Sequence, residues 1–360
     1  MTMNCSEKKR NSFNTGRLRA LSVVQLILML TLSLLFARTS AGAPVGAEFP
    51  LRLARPDVPL GRAVRFDYES IDPQRQLLFI SHLGSGKVIV VDLRTDKIIA
   101  KIPNIPDVHG VLVVPKLGEA FASATGENMV DVISERTFKV IARAPAGEHP
   151  DGLAYASNVN RIFISDEFGG TETVISARSN RRVDTIPMGG HVGNSQYDPI
   201  TGMIYADIQN LDEVVTINPH TDRVVARYKL PASVCEHNHS LLIDGSARRA
   251  FVACGASAAS GKPELLMLDM KDMHVLYHHS IGRSPDVLAF DPGLGRLYVG
   301  SESGAVSVFQ LKNGILHLLG WKFLAFEAHS VAVDPVTHLV YFPLQDVHGH
   351  GVLRIMKPSR

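Results

Sequence analysis

From residue 66 onwards, short apolar runs of about five residues, rich in Val, Ile and Phe, alternate with turns built from Asp, Pro, Gly and Asn. One motif recurs: an apolar segment, a turn, a polar or basic residue, and a second apolar strand. Ile71-Asp72-Pro73 leads to Leu77-Leu78-Phe79-Ile80, and Asp198-Pro199 leads to Met203-Ile204-Tyr205. Asp291-Pro292 leads to Leu297-Tyr298-Val299, and Asp334-Pro335 leads to Leu339-Val340-Tyr341. The first turn residues are Asp72, Val114, Ala156, Asp198, Asp244, Asp291 and Asp334, spaced by 42, 42, 42, 46, 47 and 43. A near-constant period of this length marks stacked supersecondary units.

Each unit holds four strand-like runs. In the first they are Phe66–Ile71, Leu77–Ser81, Val88–Asp92 and Ile98–Ile102. No amphipathic helical stripe interrupts them, which excludes the helical solenoids of similar period. The pattern predicts an all-β, seven-bladed β-propeller of four-stranded antiparallel blades. The last repeat is one strand short, and Pro50-Leu51-Arg52-Leu53-Ala54 precedes the first. That segment is expected to close the ring as the outer strand of the last blade, covering edges left open to pairing.

The N-terminus has a different pattern. Lys8-Lys9-Arg10, Arg17 and Arg19 precede an apolar stretch from Leu21 to Ala37, and Ala41-Gly42-Ala43 offers a small-x-small cleavage site. Residues 1–43 thus read as an export signal, with 44–360 as one propeller domain in the periplasm or outside the cell. An uncleaved anchor is the alternative, and it is the one membrane attachment the sequence suggests. The segment holds six bases and one acid, which leaves the remainder at −3 although the whole chain is +2. That balance argues against nucleic acid as a partner. A monomer is expected.

Gly86-Lys87-Val88-Ile89-Val90-Val91-Asp92-Leu93-Arg94-Thr95 and Asp212-Glu213-Val214-Val215-Thr216-Ile217-Asn218-Pro219-His220-Thr221 share a strand, turn, Thr, strand core. With His149-Pro150-Asp151-Gly152-Leu153 they resemble the YVTN-repeat, YncE-like family of bacterial exported β-propellers. The resemblance spans about residues 50–357 and departs in the second blade, where Val114-Pro115-Lys116 replaces the acidic turn. It implies the fold, export and a binding or scaffold role, and carries over no catalytic residue.

In a propeller, the residues just before each inner strand face a shared funnel. Seven positions before the anchors stand Arg65, Asp107, His149, His191, His237, Ser284 and Glu327; five before stand Asp67, His109, Asp151, Gly193, His239, Asp286 and His329. The two-residue offset places both sets on one side of an extended strand, and His149, His191 and His237 should then converge on the axis. Six of these 14 positions are His and five are Asp or Glu, in a chain with 15 His. Three readings stand: the polar lining of a wet channel, a site for a small molecule, metal or protein partner, and catalysis. The expected ligand-binding set is His109, His149, Asp151, His191, His237, His239, Asp286, Glu327 and His329, with a divalent metal as the cofactor it suggests. A metal-dependent lactonase or lyase is the enzymatic alternative, with Glu236, Asp151 or Asp286 on the ion and His191, His237 or His239 as base.

Cys235 and Cys254 flank the Glu236-His237-Asn238-His239 run, and Cys5 lies in the signal. In an exported chain the pair suits a disulfide, and a Cys/His metal site is the competing reading. The family resemblance implies the disulfide. His348-Gly349-His350 reads as a solvated turn, His278-His279 as surface, and Ser165-Asp166-Glu167 as a turn that could add carboxylates at the same mouth.

Overall fold

A computed structural model of the chain describes residues 48–359; the expected signal at 1–43 lies outside them. Seven antiparallel sheets form seven blades. Blade one runs Glu69–Asp72, Leu77–His82, Lys87–Asp92 and Lys97–Pro103, from the innermost strand outwards. The inner strands of blades two to six are Val108–Val114, Pro150–Ala156, Val192–Asp198, Glu236–Asp244 and Pro285–Asp291, and that of blade seven is the short Ala332–Val333.

The recurrent acidic turn has a local cause. Asp72 Oδ1 accepts the backbone N–H groups of Gln74 at 2.8 Å and Arg75 at 3.0 Å. Asp291 does the same for Gly293 and Leu294, so each carboxylate stands in for a backbone acceptor and reverses the chain. Val114 cannot, and its turn closes through the Leu117 N–H on its own carbonyl at 2.9 Å.

Second strands are buried on both faces, as in Leu77–His82, whereas outer strands are exposed at every other position, as in Lys97–Pro103. Among the described residues the core divides into seven apolar clusters, one in each seam between neighbouring blades. Phe79 and Val90 of blade one, for example, pack on Val111 and Ala122 of blade two. No blade buries its faces alone, which is why the repeat folds only as an array.

The ring closes with the N-terminal segment in the last blade. Leu51–Leu53 pairs with one end of His350–Pro358, and Val58–Arg62 pairs with the other. The closing strand is therefore two short strands rather than one. Pro56, which lacks an amide donor, lies in the break, and Asp57 there receives a bidentate pair from Arg354 at 3.1 and 2.6 Å.

Candidate functional site

The two aligned sets do not share a side. Asp107, His149, His237, Ser284 and Glu327 all have positive φ, between 46 and 59°. This left-handed turn breaks the extended geometry that the two-residue offset assumes. Just beyond it, the pairing of inner with second strand shifts register in blades two to six, between Pro150 and Leu153 in blade three and between Val192 and Ser195 in blade four. A bulge at this place re-aims the side chains beside it.

The outcome is two levels. His191 and His237 are exposed on the rim and His149 is half-buried, so these three do not converge on the axis. Backbone anchors hold them there: Asn128 Oδ1 accepts the His149 N–H at 3.0 Å, and Asp212 Oδ1 accepts that of His237 at 2.7 Å. Glu327 is not free either, since Arg65 spans it at 2.8 Å and Glu302 at 2.7 Å. The inner level holds Asp67, Asp151, Asp286 and His329, which are 3%, 7%, 5% and 1% exposed. His109 and His239 join them with side chains 21% and 39% exposed.

One inner-level residue escapes the repeat alignment. Gly193 leaves a gap in its blade, and Asp207 of the second strand fills it. A Cβ on residue 193 would lie 2.2 Å from Asp207 Oδ2. The glycine in a ring of charged residues was the signal for this acid. Glu167 also reaches the mouth, 3.3 Å from His149 Nε2. Its neighbour Asp166 turns away to accept from Thr171, Thr173 and the Gly147 N–H.

These charges perturb one another. Burial, then Asp286 and Asp151, pushes the Asp67 carboxyl well above the usual range. Burial with Glu167 and Asp286 does the same to Asp151, and burial raises Asp207 to about 7. Burial alone would lower His239, but Asp286, Asp207 and Asp151 overcome it and raise the imidazole to about 10. Burial opposes ionisation of Asp286 as well, yet His239 and His329 bring it down to about 2. His239 and Asp286, 3.5 Å apart, are thus an imidazolium–carboxylate pair at neutral pH. A protonated His239 cannot serve as the general base of a lactonase or lyase.

Asp67, Asp286 and His329 place donor atoms within 4.8 Å of one another. However, His329 Nε2 lies 3.1 Å from the Phe66 carbonyl oxygen, which can only accept. That nitrogen carries the proton and has no lone pair for a metal. The carboxylates that remain suit a cation that brings its own hydrogen-bond donors.

One residue deeper, Asn194 Nδ2 donates to the Tyr68 phenol oxygen at 3.2 Å, joining blades four and one across the axis. This bridge is the floor of the funnel. Beyond it, a cavity of about 380 Å³ is lined by Val111, Leu153, Leu241, Leu288 and Val331. Cys235 and Cys254 form a disulfide with Cα atoms 5.3 Å apart, which removes the thiolates that a Cys/His metal site would need. His348 is exposed in a turn, His350 is exposed at the start of the strand that follows, and His278 is exposed on an outer strand.

By fold, the chain is a WD40-like seven-bladed propeller. No family model and no curated protein sequence matches it. Solved structures do. The hydrazine synthase of Kuenenia stuttgartiensis matches with a TM-score of 0.70 and 14% identity, over 88% of this chain and 99% of that one. U3-55K gives 0.69 and 10%, over 86% and 98%. The RRP9 WD40 repeats give 0.70 and 11%, over 88% and 99%. Identities this low speak for the architecture and leave the ligand to the site.

Proposed function

We propose that this protein is an exported, YVTN-repeat or YncE-like binding propeller, cleaved after Ala43, whose funnel seats a cationic ligand without transforming it. The observation that carries this reading is the inner ring: Asp67, Asp151, Asp207 and Asp286 come from four blades, each nine-tenths or more buried. Buried carboxylates are costly unless paired, and His239 pairs fully with only one of them. A cation entering from the mouth would relieve the repulsion that raises Asp67 and Asp151. The disulfide is consistent with an oxidising compartment, and the remaining charge of −3 favours a cationic partner.

The test is to recover the protein from the exported fraction and identify what it releases on denaturation by mass spectrometry. Wild type should carry a cation that an Asp67→Asn/Asp286→Asn variant lacks. Identical release from both would reject the funnel as the site. Turnover of any member of a lactone panel, lost in that variant, would replace binding by catalysis.

A further inference from the structure

We propose that the funnel floor takes one primary ammonium group, with Asp67, Asp151 and Asp286 receiving its N–H donors. The inference rests on the cation-seating reading above and names the chemistry of that cation. The three carboxylates stand at one register in blades one, three and six and approach the axis from different sides. Asp67 and Asp151 accept no side-chain or backbone hydrogen bond of ordinary length among the described residues, Asp151 Oδ1 is buried with no partner, and Asp286 faces His239 at 3.5 Å. Three acceptors distributed around an axis match the three donors of an ammonium. A guanidinium presents its donors in one plane and fits paired carboxylates side by side instead.

The depth agrees. The Tyr68–Asn194 bridge crosses the axis one residue below the carboxylates, which sets the level at which a head group would rest. The wall above suits an alkyl stem. His109 and His149 rings lie 5.0 Å apart, and the Phe168 ring lies 4.2 Å from that of His149, tilted by 32°, with half its surface open. Burial holds His109 and His149 below the usual imidazole range. The wall that a methylene chain would cross is therefore aromatic. A directly ligated transition metal could not use His329 Nε2, which is held by the Phe66 carbonyl.

Calorimetry on the exported chain should compare n-butylammonium, tetramethylammonium, guanidinium, calcium and zinc. The expected result is binding of n-butylammonium, with tetramethylammonium, which has no N–H, about tenfold weaker or worse. Asp67→Asn and Asp151→Asn should each weaken n-butylammonium by a similar factor while Glu148→Gln, on the rim, does not. The comparison of the two ammonium ions on wild type needs no variant to fold. Nα-acetyl-lysine amide separates two sources of the same group: tighter binding than n-butylammonium assigns it to a lysine of a protein partner, and weaker binding to a free amine. Binding of a divalent ion but not of n-butylammonium would overturn the ammonium and leave a cation funnel standing. Equal affinity for both ammonium ions would remove the hydrogen-bonding argument. No binding by any cation would remove the funnel reading as well.

Discussion

Asp207 shows how a single residue acquires a role from its neighbours. It sits on a second strand, outside the repeat positions that face the funnel, and enters the ring because residue 193 has no side chain. Its Oδ1 accepts the Asn194 N–H at 2.6 Å while burial raises its pKa from 3.8 to about 7. The sign of the linkage follows. A carboxyl raised in the folded state holds its proton more tightly there, so its contribution to stability is greatest below pH 3.8 and falls as pH rises to about 7. Asn at this position can still accept the backbone bond but does not titrate. Asp207→Asn should therefore gain stability relative to wild type between pH 4 and 7, read from paired thermal melts across that range. A constant difference between the two proteins would show that Asp207 is not perturbed.

At the scale of elements, the entry to the inner strand is the decisive piece. Its apolar pattern and its anchor turns were legible because hydrophobic alternation and Asx turns are local. The left-handed residue and the bulge that follow it were not, since Asp, His, Ser and Glu all occupy the positive-φ position and no glycine announces it. Blade five carries an additional constraint at this place. The Cys235–Cys254 bridge joins the start of the inner strand to the second strand, beside Asn238 and its ladder partner Cys254. It closes a loop with a sequence separation of 19. A Cys235→Ala/Cys254→Ala variant should lose on the order of 3 kcal/mol in denaturant unfolding. Non-reduced peptide mapping should find the two cysteines linked; two free thiols in the exported protein would return the Cys/His metal reading.

For the whole molecule, closure is the source of cooperativity. Each seam cluster draws on two blades, and the seam between blades seven and one includes Val58, Leu60, Leu353 and Ile355 as well as Leu78 and Ile80. Removing the closing strands would expose the edge of His350–Pro358 and strip one side of that seam together. Deletion of residues 48–62 should lower the melting temperature of the entire ring in a single transition, monitored by circular dichroism. A deletion variant that melts like the full chain would mean that blade seven holds its place without them.

The number of blades, their four-stranded make-up and the closing segment were determined by the sequence itself. All of these rest on periodicity and on turns that close within a few residues. Which of the aligned residues meet at the axis was decided only by the tertiary structure. His191 and His237 share a register with neighbours in the alignment yet stay on the rim, while Asp67, Asp151, Asp207 and Asp286 meet inside. Convergence depends on backbone dihedrals at the strand entry and on seven seams closing into a circle. Both bring together residues more than a hundred positions apart, such as Tyr68 and Asn194, and no local pattern records that distance. The same holds for the charges: a carboxylate's pKa follows from the others around the axis and from the water it has lost, and neither exists until the ring has closed.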